Sequence, residues 1–401
     1  MSKKIEVPKG FFKQFKSKEE FNSFFSDLFK QGVEEMLQAE LDAHLGYEKH
    51  STEGYNTGNS RNGSFKKKVV SDSVGEVVLN IPRDRKATFE PQLIPKGQTM
   101  TTSIEEAIIG MYGRGMTTSD IIEQVEQIYG TSISETTVSN ITNRILTLVE
   151  EWQNRPLEPV YLCVWMDGII LKVRQDHMVK NMCVYLVIGL RNDGFKEVLG
   201  MWLAPTESAS FWLSVLSDLK NRGVQDILIA CTDNLSGFTS AIQSSFPNTV
   251  TQLCVIHQIR TAAKFVAWKD SKLFHKDMKA FYTASNIDAA NAAFQSFKQT
   301  WNHKYAYAIK SWEDNWANLV PYFDFPPEIR KIMYTTNTIE NLNRGIRKYT
   351  KAKSLFVNEN AAKKAVFLAI SNIEKKWTKP IPNFGLIINQ FLIIFDQRCR
   401  L

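Results

Sequence analysis

The spacing of apolar residues changes period several times along the chain, and each change marks an element. Ser17-x-x-Glu20 is a capping-box pattern ahead of Phe21, Phe24, Phe25, Leu28, Val33, Met36 and Leu37, which fall at helical spacing. A long helix follows, its aromatic face suited to another helix or to a second copy of the chain. Residues 48–63 are rich in Gly, Asn, Ser and Thr and read as a linker or loop. Lys66-Lys-Lys-Val-Val70 and Glu76-Val-Val-Leu-Asn-Ile81 then predict a β-hairpin with one basic strand. Three helical stretches come next. Ser103-x-x-Glu106 opens one with Ile104, Ala107, Ile108 and Met111. Thr118 to Tyr129 forms a second around Ile121, Ile122, Val125 and Ile128. After a break at Gly130, Ser134 opens a third with Val138, Ile141 and Ile145.

Downstream the period shortens to that of strands. Tyr161 to Arg174 is apolar on both alternating faces, as in a strand buried inside a sheet. Asn181 to Leu190 and Lys196 to Ala204 follow, joined by the turn Arg191-Asn-Asp-Gly194 into a three-strand meander. Ser208 to Gly223 has helical spacing, Asp226 to Asp233 is again continuously apolar, Phe238 to Phe246 reads as a short helix, and Thr249 to Ile256 as a fifth strand. Strand-strand-strand-helix-strand-helix-strand is the order of the ribonuclease H-like fold, an α/β class with a five-stranded mixed sheet. From there to Pro326-Pro327 the pattern is helical, including Ile287 to Trp301 and the aromatic-rich Trp301 to Phe325, which predicts an all-helical insertion. The expected division is 1–98 for the first helix and hairpin, 99–152 for the helix-turn-helix, 158–258 for the core strands, 259–330 for the insertion and 331–401 for a late helix and basic C-terminal helices.

Three acids interrupt this scaffold where chemistry would use them. Asp167 lies in the middle of the first buried strand and Asp233 at the end of the fourth, where open α/β sheets gather their ligands. Glu340 lies far downstream on a helix with the apolar stripe Ile339, Leu342 and Ile346, capped by Asn337 or Thr338, with Arg344 and Arg347 one and two turns on. Carboxylates are the ligands Mg²⁺ prefers, and two such ions can clamp the attacking and leaving oxygens of a displacement at phosphorus. Each acid also has a reading without chemistry: Asp233 as a helix cap, Asp167 paired with Lys172 or Arg174, Glu340 in an exposed pair with an arginine.

Four stretches carry a resemblance. They are Ile81-Pro-Arg-Asp-Arg-Lys to Lys96, Asp226 to Phe238 with Thr-Asp-Asn-Leu-Ser-Gly, Gln252-Leu-Cys-Val-Ile-His-Gln-Ile-Arg260, and Phe325-Pro-Pro to Thr-Thr-Asn-Thr-Ile-Glu-Asn-Leu-Asn-Arg344. In this order they resemble the signatures of bacterial Mutator-type insertion-sequence transposases, those of the insertion sequence 256 family, over nearly the whole chain. The resemblance implies an Asp, Asp, Glu triad at Asp167, Asp233 and Glu340 that holds two Mg²⁺ (or Mn²⁺) ions. It implies DNA cleavage and joining by water and then a 3′-hydroxyl, without a covalent enzyme intermediate. It also implies a Cys/Asp-x-x-His signature at Cys254 and His257, with Arg260, Asn337, Arg344 and Arg347 around the site. The family often has Asp-Gly-Leu-Lys-Gly where this chain has Asp233-Asn-Leu-Ser-Gly237, a departure that spares the ligands and touches positioning around Asp233.

Composition adds the partner. Net charge is +7 over 401 residues, a mild preference for polyanions. The distribution is sharper, because Arg344, Arg347, Lys348, Lys351, Lys353, Lys363 and Lys364 follow Glu340 with few acids among them, either as a phosphate-neutralising stripe or as a solvated helix face. Lys66, Lys67 and Lys68 suit phosphate contacts. Ser134, Glu135, Thr136, Thr137 and Asn140, opening the third helix, suit base edges in the major groove, unless the three helices are an ordinary packing unit. The expected partners are double-stranded DNA, both terminal inverted repeats and target, and a second copy of the chain on that DNA. Neither a membrane nor a small-molecule substrate is expected. The alternatives are a ribonuclease H-like nuclease that does not join, and a helix-turn-helix regulator with an inert core. Five cysteines without paired spacing suit reduced core thiols, and Cys254-x-x-His257 lacks the second pair a structural zinc needs. With no apolar run of membrane-spanning length and no signal-peptide pattern, a cytoplasmic, nucleoid-associated location is expected.

Overall fold

Ser17 starts the first helix, α1 (Lys18–Leu45), by accepting the backbone N–H of Glu20, while Glu20 reaches back to the N–H of Lys16, one residue earlier than a standard capping box. The computed structural model describes residues 8–55, 57–72, 74–96, 100–205, 208–235, 237–334, 337–351 and 353–399. It divides into two compact units, Met1–Tyr112 with Met116–Asn143, and Gly113–Gly115 with Arg144–Leu401. The expected boundary at residue 98 lies outside the described residues.

In the first unit α1 buries Val33 and Leu37 against an antiparallel hairpin of β1 (Arg61–Ser71) and β2 (Gly75–Asp84), whose Val69, Val77, Leu79 and Ile81 complete the core with Ile94. Phe25, Leu28 and Met36 are left exposed. Strand alternation divides the lysine run, since neighbours point to opposite faces. Lys67 is half-buried and donates to the Pro95 carbonyl at 2.9 Å, while Lys68 pairs with Glu76 at 2.6 Å. The supposed linker is built in: Asn59 donates to Asp84 and the strand begins at Arg61, with Asn56 outside the described residues.

Helix α2 (Thr102–Gly113) begins one residue before its expected cap, because the Ser103 hydroxyl bonds Asp72 at 2.8 Å instead. Helix α3 (Thr118–Tyr129) carries a full capping box from Thr117 and Asp120 and ends at Gly130 with φ 65°. Helix α4 (Glu135–Asn154) is capped by Ser134, whose Oγ accepts the N–H of Thr137 at 3.1 Å.

The second unit is built on five strands: β3 (Val160–Gln175), β4 (Met178–Leu190), β5 (Lys196–Ala204), β6 (Asp226–Thr232) and β7 (Val250–Leu253), in the spatial order β5-β4-β3-β6-β7. The first three form the predicted antiparallel meander, and β6 and β7 add in parallel. The β3–β4 turn uses Asp176 and His177, both at positive φ (52° and 63°), which matches the twist of a two-residue hairpin. Helices α5 (Ala209–Asn221) and α6 (Phe238–Ser245) connect β5 to β6 and β6 to β7. Trp212, Leu216, Phe238 and Ile242 pack against Tyr161, Tyr185 and Val187 of the sheet to form the core.

The fifth strand is shorter than expected. It ends at Leu253, and Val255 and Ile256 already belong to α7 (Val255–Ala263). The helical segment continues as α8 (Trp268–Tyr282) and α9 (Ile287–Leu319), a single element kinked at Tyr305 (φ −133°, ψ 48°) around Phe274, Phe281, Phe297 and Trp312. Pro326 and Pro327 open α10 (Pro327–Met333), which is followed by α11 (Asn337–Thr350), α12 (Glu359–Glu374) and α13 (Phe384–Phe395).

The return from the helices is fastened to the sheet. Gln252 of β7 donates to the Leu319 carbonyl at 3.0 Å and accepts the N–H of Tyr322 at 2.9 Å. Trp165 of β3 donates to the Ile332 carbonyl at 3.1 Å, and Phe356, after α11, exchanges backbone hydrogen bonds with Lys172 and Arg174 at 2.9 and 2.8 Å.

Candidate active site

Strand register brings the first two acids level. The last parallel pair of β3 and β6 is Trp165 with Cys231, and that register carried two residues further sets Asp167 level with Asp233, just beyond the end of β6. At that point β3 still pairs with β4, Asp167 opposite Leu186, but has lost its other neighbour. An acid can sit there inside an apolar strand because the sheet opens beside it.

Asp167 is 8% exposed. Its Oδ1 accepts the N–H of Gly168 at 2.8 Å and its Oδ2 accepts the Asn343 amide at 2.6 Å. These contacts replace the expected alternatives of Lys172 and Arg174. Glu340, one turn before Asn343 on α11, takes Arg260 Nη1 at 2.6 Å. Asp167, Gly168, His257, Arg260, Asn337, Glu340, Asn343, Arg344 and Arg347 line one cavity of about 630 Å³. Asp233 is not in that lining. The residue ahead of Asn337 is outside the described range, and Asn337 itself is the first helical residue.

Cys254 is not on a strand. It is the N-cap of α7, its buried Sγ accepting the N–H of His257 at 3.3 Å. The Cys-x-x-His spacing is thus a helix cap that sets the first turn, from which His257 and, one turn on, Arg260 face the cavity. Arg344 bonds Asn341 on its own helix. In the basic stripe Lys364 departs from expectation: it is buried, which pulls its ammonium below the ordinary lysine range, and Lys363 pairs with Glu359 at 2.8 Å.

Among the described residues no three His, Cys, Asp or Glu side chains stand close enough to hold a metal ion as arranged. The chemistry of the lining nonetheless suits a hydrated hard cation. Two carboxylates open on it, and Asn343 Oδ1 and His257 Nδ1, both buried, have no protein partner. Three guanidinium groups, Arg260, Arg344 and Arg347, stand around these acids, an arrangement that can hold polyanionic phosphate beside a cation.

Asn343 was missed in the sequence. Its signal is its place in the stripe Ile339, Asn343, Ile346, an i, i+4, i+7 row in which one member is polar and buried. Gln258 was missed as well; it is fully buried, accepts from Asn234 after β6 and donates to Ser311 of α9 at 2.8 Å. In the first unit Ser134, Thr136 and Asn140 are exposed on the first turns of α4 and Thr137 is half-buried, while Lys66 is exposed on β1.

Residues 6–380 match the family model described as Transposase, Mutator family. The chain belongs to that family. It is 41% identical over 378 residues to a probable transposase for an ISRM3-like insertion sequence element of Sinorhizobium fredii, covering 94% of each chain. To the transposase for insertion sequence element ISRM3 of Rhizobium meliloti it is 40% identical, again over 94% of each. The transposase for insertion sequence element IS256 in transposon Tn4001 of Staphylococcus aureus is 28% identical over 90% of each chain. In this Mutator-family transposase Asp167, Glu340 and three arginines line one cavity. No helix among the described residues is long and apolar enough to cross a membrane.

Proposed function

We propose that this transposase binds the terminal inverted repeats of an insertion sequence as a homodimer and cuts and joins DNA at Asp167, Asp233 and Glu340, using two Mg²⁺ or Mn²⁺ ions. The observation that carries the reading is that Asp167 and Glu340, distant in sequence, open on one arginine-rimmed cavity, with Asp233 level with Asp167 in strand register. The strand order and the late acidic helix support a ribonuclease H-like core. Bound divalent cations would supply charge neutralisation at the reacting phosphate and orientation of the attacking oxygen. The chain supplies the rest. Arg260, Arg344 and Arg347 hold phosphate oxygens, and Cys254 fixes the helix turn that presents His257. Positioning and electrostatics suffice for phosphoryl transfer, so no side-chain nucleophile is needed. The start of α4, with Ser134, Thr136, Thr137 and Asn140, is the base-reading surface of a helix-turn-helix, and the β1 lysines Lys66 to Lys68, Lys66 foremost, supply phosphate contacts. Such an enzyme works in the cytoplasm, at the nucleoid.

The test is isosteric removal of charge. Asp167→Asn, Asp233→Asn and Glu340→Gln should each abolish Mg²⁺-dependent cleavage and joining on end-bearing DNA while the protein melts normally and still binds that DNA. Near wild-type cleavage by any one of them removes that residue from the site, and cleavage without joined product in the wild type would make the protein a nuclease.

A further inference from the structure

We infer that Asn343 is a positioning residue for the reaction: its amide sets the Asp167 carboxylate and fastens the helix carrying Glu340 to the strand carrying Asp167. The inference rests on the three-acid reading above. The contact is short and buried, Nδ2 to Oδ2 at 2.6 Å between side chains 5% and 8% exposed. With the Gly168 N–H on the other oxygen, rotation of the carboxylate is held from both sides. Amide orientation is set by chemistry here, because the reverse placement would face a carbonyl oxygen with a carboxylate.

Asn343 and Glu340 are three residues apart on α11 and so share a face, which makes this hydrogen bond a direct link between the elements that carry two of the acids. The Oδ1 of the same amide is buried without a protein partner and belongs to a residue lining the cavity. It is a neutral acceptor beside the acids, suited to the hydrogens of a hydrated cation. An apolar residue in this place would serve packing equally well, completing the stripe of Ile339 and Ile346, but would remove the amide that Asp167 Oδ2 accepts. Partners that orient metal ligands in this way typically change metal affinity about 10- to 100-fold when removed.

The experiment uses the full chain, with Mn²⁺ as the probe and free Mn²⁺ read by electron paramagnetic resonance in the absence of DNA. Two variants separate donor from volume: Asn343→Leu keeps the packing and Asn343→Ala removes both. Each should bind Mn²⁺ about 10- to 100-fold more weakly, lose the matching Mn²⁺-dependent rise in melting temperature, and bind end DNA in EDTA as the wild type does. Wild-type Mn²⁺ affinity in either folded variant overturns the inference. So does failure of both to fold, which would make Asn343 a core residue only. Asp167→Asn is the control: if it leaves Mn²⁺ affinity unchanged the three-acid reading fails, whereas loss there with none in the Asn343 variants overturns this inference alone.

Discussion

Two buried aspartates, one in each unit, sit in opposite settings. Asp84 is 3% exposed and is closed by its own loop, accepting from Asn59 Nδ2 and Thr88 Oγ1 at 2.7 Å and from the N–H groups of Thr88 and Phe89 at 3.1 Å. Burial alone would raise its pKa, but these donors together hold the carboxyl well below the usual carboxylate range. Asp167 is nearly as buried, yet it stands where a strand has lost a neighbour, opens on a cavity, and takes a donor from a helix reached through a long excursion of the chain. The first acid is spent on holding a loop. The second is held by Gly168 and Asn343 beside an open cavity. Burial alone does not tell the two apart; the origin of the hydrogen-bond donors and the space beside Asp167 do.

The comparison predicts opposite phenotypes. The largest effect belongs to Asp167→Asn, which should remove all cleavage without a change in melting, whereas Asp84→Asn should keep the chemistry of whatever fraction folds. Cleavage by the first or a specific catalytic defect in the second would break the distinction. Next, His257→Ala should slow strand cleavage about 100-fold while end binding falls far less, since a 1 Å misplacement near the reacting phosphate is enough. The purified protein should contain no stoichiometric zinc; one zinc per chain, released together with unfolding in His257→Ala, would refute the positioning role.

Asp84→Ala should cost on the order of 2 kcal/mol of first-unit stability by chemical denaturation, the scale of lost hydrogen bonds to a charged group. The sign with pH follows from its lowered pKa. The stabilisation is present above the ordinary carboxylate range and is lost progressively as pH falls below it, so the gap between wild type and Asp84→Ala should narrow steadily below about pH 4. A gap that stays constant in acid would mean the charge is not what holds the loop. The smallest expected effect is Asn140→Ala, which should lose about 1 to 3 kcal/mol of discrimination between end and random DNA in a binding titration, with little change in non-specific affinity. Equal loss on both DNAs would reduce it to a phosphate contact.

Much of the second unit was legible because a buried sheet writes itself as apolar runs. The meander, the strand ending before Asp233 and the long helical segment all follow from period and punctuation. What escaped depended on contacts between distant segments. The Gln252 and Trp165 bonds to the returning chain leave no periodic trace, and neither does the meeting of Asn343 with Asp167. Cys254 was read as part of the strand for a local reason: Leu253, Cys254, Val255 and Ile256 are apolar in either a strand or a helix, and Cys254 joins the two, its N–H on the Thr232 carbonyl of β6 and its Sγ capping α7. Asp84 was visible as part of a motif, but nothing in Ile81-Pro-Arg-Asp tells a loop clasp from a ligand.

The bolting of the returning chain to the sheet has a consequence for the spacing of the acids. Helix α11 takes its place from β3, through Asn343 on one side and Phe356 on the other, and the bonds to Gln252 and Trp165 stitch its approach to β7 and β3. Residues 264–318 therefore enter and leave at fixed doors. The spacing of Asp167 and Glu340 is thus set from the sheet side, by the fastenings of β3 and β7 to the returning chain, rather than by the length of the helical excursion between them.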